Sequence, residues 1–278
     1  MDEKGSVPFH VAVILDGNGR WAEEKGKSRS FGHQAGAENV KKIVRAASDM
    51  GIRILTMYAF STENWKRPSA EVQFLMELFG EYLIGSLEEM KQEGVQMHII
   101  GERNMLSSGL QDKMEKCERE TAGNTKIRFN IAINYGSRDE LVRGCRLLAE
   151  KVKAGELEPD QISEEILQNS LFPPASRDVD LLIRTGGEQR LSNFMLWQIS
   201  YAELYFTPVL WPDFDRSELI RAGQEYEKSD RRFGGLQEGI EVAQENRYSR
   251  CTHCRGVLPC YDRGHGSVSE RSESCLPR

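Results

Sequence analysis

The stretch from His10 to Trp21, HVAVILDGNGRW, constrains the fold more than any other part of the chain. An apolar, β-branched run ends abruptly in Asp16, Gly17, Asn18 and Gly19, and a helix-like segment follows. This pattern is a strand that feeds a glycine-rich turn into a helix N-terminus. The first turn of a helix has backbone N–H groups that no helical carbonyl accepts, and the helix dipole adds positive potential there. A diphosphate fits such a site. The Asp16 carboxylate at its edge is placed to hold a divalent cation against the phosphates.

The pattern repeats along the chain. Short apolar runs rich in Val, Ile, Phe and Tyr fall at 11–15, 53–59, 95–100, 126–133, 179–183 and 204–206. Amphipathic helix patterns at 36–50, 71–91, 110–121 and 138–154 lie between most of them. Strands alternating with helices predict an α/β fold with a mostly parallel central sheet flanked by helices. The 278 residues suffice for one large domain with a substantial core, and no linker or repeat divides it. That domain is expected over 1–238. From 239 to 278 the chain turns polar, rich in Ser, Arg, Cys and Gly, and loses periodicity, which predicts a disordered tail. Cys251, Cys254, His253, Cys260 and His265 invite a zinc reading there. Their spacing lacks a complete second ligand pair, so the unstructured tail is the expectation.

The net charge of −6 argues against a nucleic-acid partner. No N-terminal apolar stretch is long enough for a signal peptide and nothing spans a bilayer, which predicts a cytoplasmic protein. Cys117 and Cys145 sit far apart and read as reduced thiols.

Ligands of an open parallel sheet bind at the carboxyl ends of its strands. Four polar loops follow strands here: residues 16–20, 60–68, 134–136 and 184–192. In the last, Arg184 and Arg190 flank Gly186 and Gly187, and Ser192 adds a hydroxyl. Guanidinium forks suit phosphate oxygens, so this loop reads as a second phosphate site rather than a set of surface ion pairs. Arg29 and His33, four residues apart, share a helix face and could add charge to the first site, although His33 could equally serve as a cap. Glu203 precedes an apolar strand and is either a structural partner for an arginine or a second metal ligand. The segment 72–87 is apolar around most of a helix circumference, which fits a central core helix or one wall of an apolar tunnel.

Several chemistries are missing. The glycine turn is not G-x-G-x-x-G, and there is no Walker lysine. No Asp-Asp pair exists for the metal cluster of trans-type prenyl synthases. Asn18 stands where an α/β phosphatase would carry its second acid.

Together the motifs DGNGRW at 16–21, GHxxG at 32–36, FSTENWxRP at 60–68, NYG at 134–136, RTGGExRLSNF at 184–194, WQxxYxEL at 197–204 and DRRFG at 230–234 resemble the cis-prenyltransferase family, and within it the bacterial undecaprenyl diphosphate synthases. The likeness runs from about Val7 to Gly235. It implies an α/β homodimer with an apolar tunnel, adding isopentenyl diphosphate to farnesyl diphosphate in cis steps to make the undecaprenyl carrier precursor of the bacterial cell wall. The family also holds shorter- and longer-chain synthases and non-catalytic regulatory subunits. The subunits should lack site residues that are present here.

By that resemblance, Gly17, Asn18, Gly19, Arg20, Trp21, Arg29 and His33 bind the farnesyl diphosphate. Ser61, Glu63, Trp65 and Arg67 lie on a substrate loop with Asn64, which joins Asp16 as a catalytic residue. Arg184, Arg190 and Ser192 bind isopentenyl diphosphate. Asp16 and Glu203, from one subunit or the other, hold Mg2+, and the 232–234 end reaches the partner's site. Release of the product implies transient contact with the inner face of the cell membrane.

Overall fold

The computed structural model describes residues 7–172 and 177–229. They belong to a unit spanning Met1–Arg231. The expected tail with its cysteines and histidines, and the 230–234 motif, lie outside the described residues.

Six strands form one sheet: β1 (His10–Ile14), β2 (Ile54–Ser61), β3 (Val95–Ile100), β4 (Ile127–Tyr135), β5 (Leu181–Arg184) and β6 (Glu203–Phe206). Their order is β3-β4-β2-β1-β5-β6, and every pairing is parallel. Seven helices accompany them: α1 (Asn18–Glu24), α2 (Arg29–Asp49), α3 (Ser69–Gln92), α4 (Ser108–Thr121), α5 (Ser137–Lys153), α6 (Glu164–Gln168) and α7 (Arg216–Lys228). The side chains of Ser28, Ser107, Ser163 and Asp215 cap α2, α4, α6 and α7 by accepting first-turn N–H groups. Pro68, whose ring suits a helix start, opens α3.

Successive strand residues point to opposite faces. On one face Val11, Val13, Leu55, Met57, Phe129 and Ile131 pack against Val40 and Ile43 of α2, Leu83 and Leu87 of α3 and Met114 of α4. On the other, Ala12, Ile14, Tyr58, Tyr135 and Leu182 pack against Phe194, Met195 and Ile199 of the segment before β6. Tyr58 stacks on Phe194 with ring centroids 4.4 Å apart.

β1 continues to β2 on one side, and β5 to β6 on the other. The neighbours β1 and β5 therefore mark the point where the strand order reverses, the place where open α/β sheets bind ligands. Ile14 and Arg184 are register partners there, so the loops after β1 and β5 leave the sheet side by side.

Candidate active site

Asp16 is the hub of that rim. Its Oδ2 accepts from Arg184 Nη2 at 2.8 Å and its Oδ1 from Arg20 Nη2 at 3.1 Å. Its backbone is fixed too: its N–H donates to Thr185 Oγ1 at 3.0 Å, and its carbonyl accepts from that hydroxyl at 2.7 Å and from Trp211 N–H at 3.0 Å. The carboxylate is 27% exposed, whereas the Arg184 side chain is only 4% exposed. Burial works to raise the Asp16 pKa, but the hydrogen bond and charge of Arg184, helped by Arg20, outweigh it and hold the carboxyl below its ordinary value.

One cationic cluster grows from the glycine turn. Gly17 begins α1 with φ 107°, and a Cβ there would come 2.8 Å from Leu210 Cδ2. The first α-helical bond runs from Trp21 N–H to Gly17 O, so the N–H groups of Asn18, Gly19 and Arg20 have no helical acceptor. Helix α2 crosses at close range. A Cβ on Gly32 would lie 2.0 Å from the Asn18 carbonyl oxygen, which explains a glycine inside a 21-residue helix. The close crossing brings Arg29 and His33 to the turn. Asp16, Gly17, Asn18, Gly19, Arg20, Arg29, His33 and Arg67 line a small polar pocket of about 170 Å³. Glu71 faces its cations: its Oε1 accepts from Arg67 Nη1 at 2.9 Å and lies 3.5 Å from His33 Nε2 and 3.8 Å from Arg29 Nε. Burial lowers the His33 pKa, the charge of Arg67 lowers it further, and Glu71 opposes both.

The second cluster grows from the end of β5. Arg184 Nη1 donates to Ser192 Oγ at 2.7 Å and to the Arg190 carbonyl. Arg190 lines the same cavity as Arg184 and pairs with Glu188. Ser192, Asn193 and Met195 all have left-handed backbones, with φ of 50°, 61° and 46°. Such conformations cost about 1–3 kcal/mol each and persist only where their surroundings hold them. Asn193 does the holding. Its carbonyl and side-chain oxygens accept from Ser137 N–H and Arg138 N–H, and its Nδ2 donates to Glu63 at 3.0 Å.

Both clusters open into a larger cavity of about 680 Å³. Its mouth is polar, with Asp16, His33, Arg67, Arg184 and Ser192. Its depth is apolar: Leu75, Met76, Leu78, Phe79 and Tyr82 on one side face Met57, Phe129, Ile131 and Ile133 of the sheet. The two expectations for 72–87 therefore divide along one helix. Leu83 and Leu87 belong to the core, and the turns from Leu75 to Tyr82 wall the cavity.

The loop expected to meet substrate is a single 3-10 turn over Thr62–Lys66. Ser61 N–H donates to Asn64 Oδ1 at 3.1 Å, which orients the Asn64 amide at the cavity mouth beside Ser61 and Glu63. Trp65 turns away from the cavity. Its Nε1–H donates to Asn134 Oδ1 at 2.7 Å and its ring meets Phe60 edge-on, so it supports the loop rather than lining the site. Trp21 likewise stacks on Phe31 and donates to Asp213 at 2.7 Å, outside both pockets. Glu203 does not join Asp16 within one chain. It is the register partner of Leu181, three residues before the Phe206–Arg184 pair at the rim, about 10 Å along the strand. Among the described residues no three His, Cys, Asp or Glu side chains gather into a metal-ligating group.

Two lining residues carried no signal in the sequence reading. Trp211 walls the cavity, and its Nε1–H donates to Gly36 O at 2.8 Å. Arg138, at the start of α5, also lines it. Its place two residues after the 134–136 motif that follows β4 was the available clue.

The family model described as "Putative undecaprenyl diphosphate synthase" matches residues 14–234, which take in both clusters and the cavity wall. The chain belongs to the undecaprenyl diphosphate synthase family. It is 52% identical, over 84% of its length and 92% of the relative's, to the ditrans,polycis-undecaprenyl-diphosphate synthase ((2E,6E)-farnesyl-diphosphate specific) of Escherichia coli strain K12. An isoprenyl transferase of Agrobacterium fabrum is 48% identical over 86% of this chain and 97% of that relative. Among solved structures, lavandulyl diphosphate synthase from Lavandula x intermedia, in complex with dimethylallyl diphosphate, superposes with a TM-score of 0.80 at 39% identity, over 82% of this chain and 99% of that chain. "A probable undecaprenyl diphosphate synthase" from Campylobacter jejuni gives 0.69 at 35% identity, over 84% and 100%. The two solved structures share the fold of this chain over most of their length. No helix among the described residues is long and apolar enough to cross a membrane.

Proposed function

We propose that this chain condenses isopentenyl diphosphate onto farnesyl diphosphate in successive cis additions, ending at undecaprenyl diphosphate. One observation carries the reading: a single carboxylate, Asp16, is hydrogen-bonded to Arg20 of one cationic cluster and to Arg184 of the other, at the head of an apolar cavity. Two diphosphates side by side with one hydrocarbon tail are the substrates that such a site matches. The relatives named for this reaction support the same substrates.

In this reading the farnesyl diphosphate occupies the polar pocket at Gly17, Asn18, Gly19 and Arg20 with Arg29, His33 and Arg67. Its tail runs down the cavity along α3. Arg184, Arg190 and Ser192 hold isopentenyl diphosphate. The C1–oxygen bond of the allylic substrate breaks, and the double bond of isopentenyl diphosphate forms the new carbon–carbon bond to that carbon. A proton then leaves the added unit, giving a cis double bond and free pyrophosphate. The free N–H groups of α1, with Arg20 and Arg29, stabilise the charge on the departing diphosphate, the preorganised electrostatics that dominate many enzymes. Asn64, its amide oriented by Ser61, guides the proton toward Asp16 or the departing diphosphate.

Mg2+ fits Asp16, because this ion takes one or two carboxylates and fills its other positions with substrate phosphates and water. When bound it supplies Lewis-acid neutralisation of the diphosphate charge. Asp16 would give up Arg184 or Arg20 to hold it. A second carboxylate from Glu203 would come from another copy of the chain. Edge strand β6, with Leu204 48% exposed and Tyr201 64% exposed beside it, supports a homodimer through that side. Cytoplasmic work with transient membrane contact at product release completes the reading.

The test is incubation of the full chain with farnesyl diphosphate, labelled isopentenyl diphosphate and Mg2+, with products sized by chromatography. Stepwise elongation to undecaprenyl length is expected. No incorporation, or a single addition only, would refute the reading.

A further inference from the structure

The arginines of the site differ in one respect. Arg184 is spent on Asp16, Ser192 and the Arg190 carbonyl. Arg190 is paired with Glu188, Arg67 with Glu71, Arg29 with Glu23, and Arg20 with Asp16. Arg138 is among the residues that line the cavity, and its guanidinium has no ion pair or hydrogen bond among the described residues. The nearby acids are already engaged: Asp139 Oδ2 accepts from Thr62 Oγ1 at 3.1 Å, and Glu63 Oε1 accepts from Asn193 Nδ2 at 3.0 Å.

The position of Arg138 is fixed although its side chain is free. Its N–H donates to Asn193 Oδ1 at 2.9 Å, Ser137 N–H donates to Asn193 O at 2.8 Å, and Ser137 Oγ accepts from Leu196 N–H at 2.9 Å. These bonds fasten the start of α5 to the left-handed segment that carries Ser192. Arg138 therefore stands on the isopentenyl side of the cavity, bonded through its N–H to Asn193, the residue after Ser192.

Charge makes the position matter. The positive charges of Arg184 and Arg190 are each met by a carboxylate, Asp16 and Glu188. A second diphosphate approaching those two arginines meets a locally neutral surface until an acid moves. Arg138 is the cation that needs no such exchange. We propose that Arg138 is a further substrate-binding residue, which captures the diphosphate of isopentenyl diphosphate at the cavity mouth and holds it against Ser192. This rests on the assignment of Arg184, Arg190 and Ser192 to that substrate.

The experiment compares Arg138→Ala, Arg138→Gln, Arg138→Lys and Arg190→Ala with the parent chain. KM is measured separately for isopentenyl and farnesyl diphosphates, and direct binding of isopentenyl diphosphate by equilibrium dialysis. Losing one charge-assisted contact should raise KM and Kd for isopentenyl diphosphate about tenfold or more in the Ala and Gln variants. Lysine should recover part of the loss, and the farnesyl constant should stay within about twofold. Added salt should weaken isopentenyl binding more in the parent than in Arg138→Ala, because a charge contact is screened. The exposed side chain bears no load in the fold, so melting points should coincide. The proposal is overturned if isopentenyl binding is unchanged while Arg190→Ala weakens it, if both substrates lose equally, or if lysine restores nothing. Failure of Arg190→Ala to affect isopentenyl binding would instead overturn the assignment beneath it.

Discussion

Product length should respond to the depth at which the cavity is filled. Leu75, Leu78 and Tyr82 lie on successive turns of α3, and the helix starts at the rim beside Arg67. At 1.5 Å per residue, Leu75 and Tyr82 differ in depth by about 10 Å. Leu75→Trp should therefore give the shortest products, Leu78→Trp longer ones, and Tyr82→Ala, which opens the floor, products longer than those of the parent. The first condensations should survive in all three, because a block acts only when the growing tail reaches it. Were this helix face an ordinary packed core, each Trp would overpack it at a cost of about 1–3 kcal/mol. That cost would lower Tm by roughly 2–4 °C per kcal/mol in a domain of this size. With a 680 Å³ space to fill, little change in Tm is expected for the two Trp variants. Tyr82→Phe is the control for the floor. Among the described residues the Tyr82 hydroxyl is buried without a hydrogen-bond partner, so its removal should keep product length and leave stability equal or higher. Gly85→Leu, where a Cβ meets nothing within 4 Å, should change neither length nor early turnover. Thin-layer sizing of labelled products and melting curves on the same proteins decide the matter. Product lengths that ignore the order of positions, with Tm falling in step with activity, would refute the channel.

Asp16→Ala should lower turnover by on the order of 100-fold or more with the fold retained, since it removes the group that joins both clusters; steady-state rates with circular dichroism test this. The depressed Asp16 pKa also adds stability that is present above its unfolded value and lost as pH falls through the folded one, so the Ala variant should show a flatter acid limb in denaturant titrations. Arg190→Ala should raise KM for isopentenyl diphosphate far more than for farnesyl diphosphate, and equal effects would contradict separate sites. His10 is buried, holds Thr56 and the Arg177 carbonyl at 2.8 Å, and has its pKa lowered to about 4 by burial. Its unfolded form takes up a proton first, so stability should fall as pH drops from about 6.5 toward 4, by roughly 3 kcal/mol in all. His10→Gln should remove that dependence in urea titrations at stepped pH.

The sheet was legible because buried parallel strands read as short apolar runs. All six expected strands appear, with ends within two residues of those expected. Helix α2 begins seven residues before the amphipathic pattern starts, and Gly32 and Gly36 lie inside it. Their reason is tertiary: α1 leaves no room for a Cβ. The rim loops were legible as polar insertions after strands, and both cationic clusters lie where those loops predicted. Helix phase was not legible in α3. An all-round apolar helix does not tell which side faces a cavity, and Ile84 within the apolar segment proves to be exposed. Strand register was hidden as well, so the sequence left open whether Glu203 meets Asp16 within one chain; it sits at the opposite end of β6 from the rim. Trp21 and Trp65 belong to motifs that carry the site, but their indoles serve Asp213 and Asn134.

The central claim is that two diphosphate sites meet at Asp16 above one hydrocarbon channel. A crystal structure with a non-hydrolysable farnesyl diphosphate analogue, isopentenyl diphosphate and Mg2+ tests it most directly. One diphosphate should lie on the turn at Gly17–Arg20 near Arg29 and His33, the other against Arg184, Arg190 and Ser192, and the farnesyl tail should run along Leu75 to Tyr82. Both diphosphates in one cluster, or a tail directed away from α3, would contradict it.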